Sequence, residues 1–408
     1  MNPWLTFTII LVTYIGIALG GLPKLKANRT TLTLMGAGAL LAFGQISFKQ
    51  IGGFLDLNTL VLLFGMMILN ANLQLAGFFR LAGSLILRWT KSARSLLALE
   101  IVIVGLLSAL FLNDTICLML TPLVLDITLA AKRNPIPYLI ALATAANIGS
   151  VATLTGNPQN MIIGIASGIS YLNFALALTP VALLGLGGIW LVLLRFYPQE
   201  FAPGAFAPIQ LPEPRVNAHL LKKSLLITGG LLLAFFVGVP IAEAAFVAAC
   251  ALLFTRRVEP DHVMKAVDTD LLFFFGALFI VSGAMESSGL TALMFASVKT
   301  WLSGGVWALS AVTVILSNLV SNVPAVLLLR PVVANLPNPH AAWLTLAAAS
   351  TLAGNLTLLG SVANLIVAEV AGRRGVKLEF WEYTRPGLLI TLISLALGIG
   401  WIQLFIWK

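Results

Sequence analysis

The chain has 408 residues, of which 59% are hydrophobic and 10% charged, with a formal charge of +9 and a mean hydropathy of +0.99. A soluble domain carries about 25% charged residues, so this composition excludes a cytosolic enzyme, a disordered scaffold and a secreted module. It specifies a polytopic membrane protein, whose basic excess belongs to its cytoplasmic loops and not to nucleic acid.

Taken in chain order, apolar runs predict ten spans, at about Trp4–Leu19, Thr31–Ile46, Leu57–Phe79, Tyr138–Ser167, Phe174–Leu194, Leu220–Val239, Ala242–Phe254, Leu271–Leu290, Ala341–Val370 and Gly387–Ile406. A bilayer core needs about 20 residues of helix, so Ala242–Phe254 is short. No basic residue precedes the first run, and Lys24, Lys26 and Arg29 follow it. A cleaved signal has the opposite polarity, so the run reads as a retained helix with its N-terminus outside.

Two further segments, Leu97–Ala131 and Val306–Val333, are too long for one helix and are interrupted by Asn113-Asp114-Thr115 and by Ser321-Asn322-Val323-Pro324. Each reads as a re-entrant hairpin of two arms of about 15 residues with a polar tip. Such backbone is tolerated at membrane depth only under cover of protein or a water-filled cavity. With both hairpins returning to their own side, the inside receives Lys24, Lys26, Arg29, Arg80, Arg88, Lys91, Arg94, Lys132, Arg133 and Arg195 from the first half. From the second half it receives Arg215, Lys222, Lys223, Arg256, Arg257, Lys265, Arg373, Arg374, Lys377 and Arg385. The outside receives only Lys49, Lys299, Arg330 and Lys408. This bias supports the topology and puts both termini outside the cytoplasm of a cell (inner) membrane.

Tyr197–Ala218 carries Pro198, Pro203, Pro208, Pro212 and Pro214 with Glu200, Glu213 and Arg215, the composition of an extended connector. It divides the chain into 1–196 and 219–408. These halves resemble each other. Shifting Leu107–Pro122 by 209 positions onto Leu316–Pro331 aligns Leu, Ser, Leu, Asn, Leu, Leu and Pro without a gap. Shifting Thr153–Ile162 by 204 onto Thr357–Ile366 aligns Thr, Leu, Gly, Asn and Ile. Five spans per half is an odd number, so the halves are expected as inverted repeats. Each would hold five helices, one re-entrant hairpin (97–131; 306–333) and one broken helix (138–167; 341–370). Inverted repeats with interrupted helices are the plan of secondary transporters, with the substrate near the midplane.

Four polar breaks converge under that symmetry: Asn113-Asp114-Thr115, Ser321-Asn322, Thr155-Gly156-Asn157-Pro158, and Gly354-Asn355 to Gly360-Ser361. Asn160 and Asn364 follow the last two. Glycine admits close backbone approach. Pro158 lacks an N–H and frees a carbonyl. Asn and Thr both donate and accept, and half-helix ends offer N–H groups to anionic or hydroxylated ligands. Asn113, Asp114, Thr115, Thr155, Gly156, Asn157, Asn160, Ser321, Asn322, Asn355, Gly360, Ser361 and Asn364 are therefore the expected substrate and ion site. Asp114 is its clearest carboxylate, and its repeat partner is Val323; it is the expected proton- or cation-coupling residue. Glu286 lies near an outer end, Asp126 and Glu369 near segment ends, and Arg330 on a return arm. Cys117 and Cys250 are expected as buried small hydrophobes. His219, His262 and His340 offer no zinc spacing, no phosphate-binding loop of the ATPase type is present, and no metal or cofactor is expected.

The motifs Ala109–Thr115, Ala146–Thr153, Gly156–Asn160 and Gly354–Asn364 resemble the ion transporter superfamily, most closely the branch of arsenite efflux permeases and plant silicon-efflux transporters. Dicarboxylate carriers of that superfamily typically have Ser-Asn-Thr at both tips, which this chain lacks. The resemblance implies a homodimer with a scaffold part and a moving, elevator-like transport part made of the hairpins and broken helices. The expected activity is proton-coupled antiport exporting a small hydroxylated solute or oxyanion, of the arsenite or silicic acid type. Sodium/proton antiport, cation-coupled uptake of dicarboxylates or other anions, a channel, and a membrane subunit driven by a separate ATPase remain the alternatives.

Overall fold

The computed structural model describes residues 2–18, 21–22, 27–204, 215–254, 259–293 and 304–407. The first half runs α1 (Pro3–Ala18), a two-residue ribbon of β1 (Gly21–Leu22) and β2 (Ala27–Asn28), α2 (Arg29–Ala42), α3 (Phe48–Phe54), α4 (Leu57–Ala76), α5 (Phe78–Trp89), α6 (Ala93–Leu110), α7 (Asn113–Ala130), α8 (Ile136–Ser150), α9 (Pro158–Ser167) and α10 (Tyr171–Phe196). The second runs α11 (Ala218–Val237), α12 (Ile241–Leu253), α13 (Pro260–Lys265), α14 (Thr269–Ser287), α15 (Gly305–Val320), α16 (Asn322–Val333), α17 (Pro339–Ala353), a 3₁₀ turn (Leu358–Gly360), α18 (Val362–Arg373) and α19 (Phe380–Phe405).

Local chemistry sets the boundaries. The Asp56 carboxylate accepts from Thr59 N and starts α4, and the Asp268 carboxylate accepts from Leu271 N and starts α14. Asn157 accepts from Asn160 N with Pro158 in the first helical position, which starts α9. Gly77, at φ 83°, ends α4 three residues before the expected end of that span; a Cβ there would lie 2.5 Å from the Arg215 carbonyl.

Seven described helices are long and apolar enough to cross a bilayer: α4, α6, α7, α10, α11, α14 and α19. Three of the ten expected spans form shorter helices. The runs at 4–19, 31–46 and 242–254 form helices of 16, 14 and 13 residues. The runs at 138–167 and 341–370 divide into α8 with α9 and α17 with α18. The first hairpin also differs, because both its arms, α6 and α7, have 18 residues. Its break falls at Phe111-Leu112, so Asn113-Asp114-Thr115 are the first turn of α7 and not an open tip. Short α3, α5 and α13 were not foreseen in the apolar pattern.

The core lies around α8 and α17. Every residue of α8 is buried, as is α17 from Ala341 to Ala353. Small residues permit this: a Cβ on Gly149 would stand 2.3 Å from the Gly105 carbonyl of α6. α6 packs on α8, α15 on α17, and α10 on α19. α2 lies against α14 while α4 lies against α12. The outer helices expose Leu183, Leu191, Leu226, Leu233, Leu392 and Leu404, a face suited to lipid. Cys117 is buried as expected, but Cys250 is exposed on α12.

The expected connector is described only in part. Pro208, Pro212, Glu213 and Pro214 lie outside the described residues, as do Lys24, Lys26, Arg256, Arg257, Lys299 and Lys408. The described start is not extended. Phe201 is buried edge-on to Tyr138, and Glu200 accepts from the Tyr138 hydroxyl at 3.1 Å and from Asn134 N at 3.3 Å.

Candidate functional site

The four breaks meet. A cavity of about 40 Å³ is lined by Asn113 and Asp114 of α7, Pro158 and Gln159 of α9, Ser321 and Asn322 at the start of α16, and Ser361 and Val362 at the start of α18, with Arg29 and Phe274 closing it. All four broken elements therefore point helix N-termini at one small volume. The first-turn N–H groups of a helix have no intrahelical partner and carry the positive end of its dipole.

One residue holds these ends in register. Asn147, in the middle of α8 and 1% exposed, makes four side-chain hydrogen bonds. Its Oδ1 accepts from Asn113 Nδ2 at 3.0 Å and from Ser361 Oγ at 3.1 Å. Its Nδ2 donates to Asn355 Oδ1 at 2.9 Å and Asn364 Oδ1 at 3.1 Å. It thereby ties the start of α7 to the break between α17 and α18. Asn147 stands in one of the motifs above but was not among the expected site residues. Thr351 of α17, 204 positions later, answers it by accepting from Asn157 Nδ2 and Gln159 Nε2, each at 3.3 Å.

The breaks repeat one internal design. Asn160 Nδ2 donates to Ser150 O at 3.0 Å and Thr153 O at 2.9 Å. Asn364 Nδ2 donates to Gly354 O at 2.8 Å and Thr357 O at 3.1 Å. These amides satisfy the carbonyls that each interruption orphans. Gly156 lets the chain pass Ser150 and accepts from Asn113 N at 3.0 Å, so the α8–α9 break also seats α7. Thr155 faces Thr153 and the Tyr171 hydroxyl; Thr153 Oγ1 donates to Ala109 O.

The expected site residues thus divide by place. Asn113, Asp114, Ser321, Asn322 and Ser361 line the cavity. Thr115 lines the adjoining vestibule, where its hydroxyl accepts from Asn70 Nδ2 at 3.4 Å. Thr155, Gly156, Asn157, Asn160, Asn355, Gly360 and Asn364 lie behind it and hold the breaks. At the cavity wall, Asn113 Oδ1 and Asn322 Oδ1 are buried acceptors without a partner among the described residues. Ser321, at φ 77° and ψ 160°, occupies backbone space that favours glycine, a strain of about 1–3 kcal/mol of the kind kept at functional sites.

One vestibule joins the cavity, and a second, separate one lies elsewhere among the described residues. The first, about 130 Å³, shares Arg29, Asp114, Pro158, Leu271 and Val362 with the cavity and extends past Asn70, Gln74 and Asp268. The second, about 350 Å³, lies beside Asp56, Ser282, Glu286 and Arg330 and shares no lining residue with the cavity. Arg330 Nη1 is 3.5 Å from Asp56 Oδ2 across it. Asp56 and Asp268, Asn70 and Ser282, and Gln74 and Glu286 each lie 212 positions apart, the shift that carries α4 onto α14.

Asp114 is not the most enclosed membrane carboxylate. Glu100, on α6, is 1% exposed, and neither of its oxygens has a partner among the described residues. It lies away from the cavity lining. Asp126 and Glu369 sit at segment ends and pair with Arg374 and Arg373, each at 2.6 Å.

The family model described as CitMHS, citrate transporter, matches residues 14–353. The chain belongs to this family, part of the ion transporter superfamily. It is similar to the silicon efflux transporter LSI3 of Oryza sativa subsp. japonica, at 34% identity over 92% of this chain and 93% of that protein. It is 25% identical to the putative transporter arsB of Dictyostelium discoideum, over 92% of this chain and 87% of the relative. An uncharacterized transporter of Mycobacterium tuberculosis (strain ATCC 25618 / H37Rv) is 29% identical over 98% of both chains. Among solved structures the fold is similar to the Alcanivorax borkumensis YdaH transporter, whose topology is described as unusual, with TM-score 0.61 and 18% identity over 98% of this chain and 96% of that one. The protein is a multi-pass membrane transporter of this family, acting on small-molecule or ion substrates.

Proposed function

We propose that the protein is a proton-coupled antiporter exporting a small hydroxylated solute or oxyanion, bound where the four helix N-termini meet. The observation that carries the reading is the pairing of opposite hydrogen-bonding roles in one cavity. Asn113 and Asn322 line the cavity and their Oδ1 atoms are buried without a partner among the described residues, so they are the acceptors that would turn to solute hydroxyls, while the first-turn N–H groups that no cap or carbonyl engages would donate to solute oxygens. A weak oxyacid such as silicic or arsenous acid offers both. The volume agrees, since about 40 Å³ holds roughly three water-sized groups. A citrate-sized solute would overfill the cavity and extend into the vestibule joined to it. The relatives named for silicon efflux and arsB point the same way.

In this reading 1–196 and 219–408 are inverted repeats joined by 197–218. The exchanged packing of α2 on α14 and α4 on α12, and the 212-residue register between vestibules, support a two-fold relation. The basic bias orients the Arg29 vestibule toward the cytoplasm of the cell membrane. The conformation is then open inward, because only that vestibule joins the cavity. Export requires the opposite state, in which the Asp56–Arg330 vestibule takes over. The hairpins and broken helices move as one transport part against a scaffold, in a homodimer. Asp114, lining both cavity and inner vestibule, exchanges the proton. Proteoliposomes with an imposed pH gradient test this directly. The wild-type chain accumulates silicate or arsenite against its gradient; Asp114→Asn keeps downhill exchange and loses uphill transport. Full uphill transport by Asp114→Asn would reject Asp114 as the coupling residue.

A further inference from the structure

We infer that Arg29 selects the cargo's charge, making the cavity a receptor for the monoanionic form of a small oxyacid. This rests on the oxyacid reading above and deepens it. Arg29 is the first residue of α2, the end of a helix where a cation is disfavoured. Its place is therefore not explained by helix stability. The corner that carries it is fixed to α14: Thr30 Oγ1 donates to Asp270 Oδ2 at 2.8 Å, and Asn28 Nδ2 reaches both Asp270 oxygens at 3.5 and 3.4 Å. Asp270 is thus engaged by neutral donors. The Arg29 guanidinium lies over the Phe274 ring, 5.3 Å from its centroid, which aims it without neutralising it. Among the described residues it has no carboxylate within ion-pair distance.

Among the described residues, Arg29 is the one basic side chain lining either the cavity or the vestibule joined to it. The acidic groups facing that space are Asp114, on α7, and Asp268, which is engaged in capping α14. Four helix N-termini add positive potential at the same point. A cation entering would meet this field with Asp268 held in its cap and Asp114 as its remaining carboxylate partner. An uncharged oxyacid would bind through hydroxyls alone, whereas its monoanion adds a charge-assisted bond from a planar donor.

The test is ligand-induced thermal stabilisation of the detergent-purified chain, by arsenite, silicate, bicarbonate and sodium, from neutral to alkaline pH. In the wild type, apparent affinity for arsenite and silicate rises with pH as each solute ionises, and bicarbonate, already an anion at neutral pH, competes. Arg29→Gln weakens anion binding about tenfold or more and flattens the pH dependence; Arg29→Lys keeps the pH dependence at reduced affinity. If arsenite and silicate fail while bicarbonate binds in an Arg29-dependent way, the silicic- or arsenous-acid cargo of the proposed function falls and this inference stands. Binding of anions by Arg29→Gln with wild-type affinity and pH profile would overturn it. So would stabilisation by sodium that Arg29→Gln leaves unchanged, or no anion binding by the wild type.

Discussion

Asn147→Ala should do more damage than any other single truncation at the site. The substitution deletes four buried hydrogen bonds of 2.9–3.1 Å and strands Asn355 Oδ1, which is 0% exposed. Side-chain hydrogen bonds between membrane helices average about 0.6 kcal/mol each, so the four amount to about 2 kcal/mol. At the value of about 1 kcal/mol typical of soluble proteins they amount to about 4 kcal/mol. Either figure is a large share of a total stability of about 5–15 kcal/mol. Asn113→Ala removes only one bond to Asn147 and should cost about a quarter as much. Asn147→Asp separates the roles. It keeps both acceptor functions toward Asn113 and Ser361 but sets a carboxylate oxygen against Asn355 Oδ1 and Asn364 Oδ1. It should be as destabilising as the alanine variant although its shape is conserved. Reversible denaturation by SDS in mixed micelles measures the stability, and solute uptake measures the site. Equal losses for Asn147→Ala and Asn113→Ala, or a wild-type Asn147→Asp, would refute the hub.

Gly156→Ala would bring a Cβ to 2.4 Å from the Ser150 carbonyl and 2.8 Å from that of Ser108, whereas at Gly360 the nearest atom is 2.9 Å away and the next is the Asn318 side chain. Gly156→Ala should therefore abolish monodisperse protein in size-exclusion chromatography and Gly360→Ala only lower its yield; the reverse order would contradict the packing. Ser321→Gly should stabilise the chain by about 1 kcal/mol in the same micelle titration, by relieving positive-φ strain, and a loss would mean that the Ser321 side chain holds the break. Glu100→Gln should leave stability within about 0.5 kcal/mol of wild type or raise it, because an unpartnered carboxylate gains nothing from its charge. A loss above about 2 kcal/mol would reveal a buried partner.

The membrane class and the two gapless blocks were legible because they rest on composition and on rare coincidences of Asn, Gly and Pro in apolar sequence. The four breaks were legible for the same reason. Their division into cavity wall and support was not. Asn160 and Asn364 look like ligands in the sequence, yet each spends its amide on carbonyls of its own break. Asn147 was missed as a site residue because one amide in the apolar first arm of the 138–167 run, eight residues before the break at Thr155, reads as packing until its four partners are assembled. The register between α4 and α14 escaped detection because its polar members differ in type, Asn70 against Ser282 and Gln74 against Glu286. Asn113-Asp114-Thr115 read as a turn, since these residues favour turns and caps. Gly156, distant in sequence, supplies the carbonyl that seats them as a helix start. Arg29 counted only as a loop charge because its approach to the site depends on α2 lying against α14.

The central claim is that solute and proton cross in opposite directions through one site. A pH-sensitive dye trapped in proteoliposomes measures this when silicate or arsenite is allowed to flow down its gradient. The account predicts a solute-dependent proton movement in the opposite direction with the wild-type chain and none with Asp114→Asn. Solute flux without proton movement, or proton movement evoked by sodium and not by either oxyacid, would contradict it.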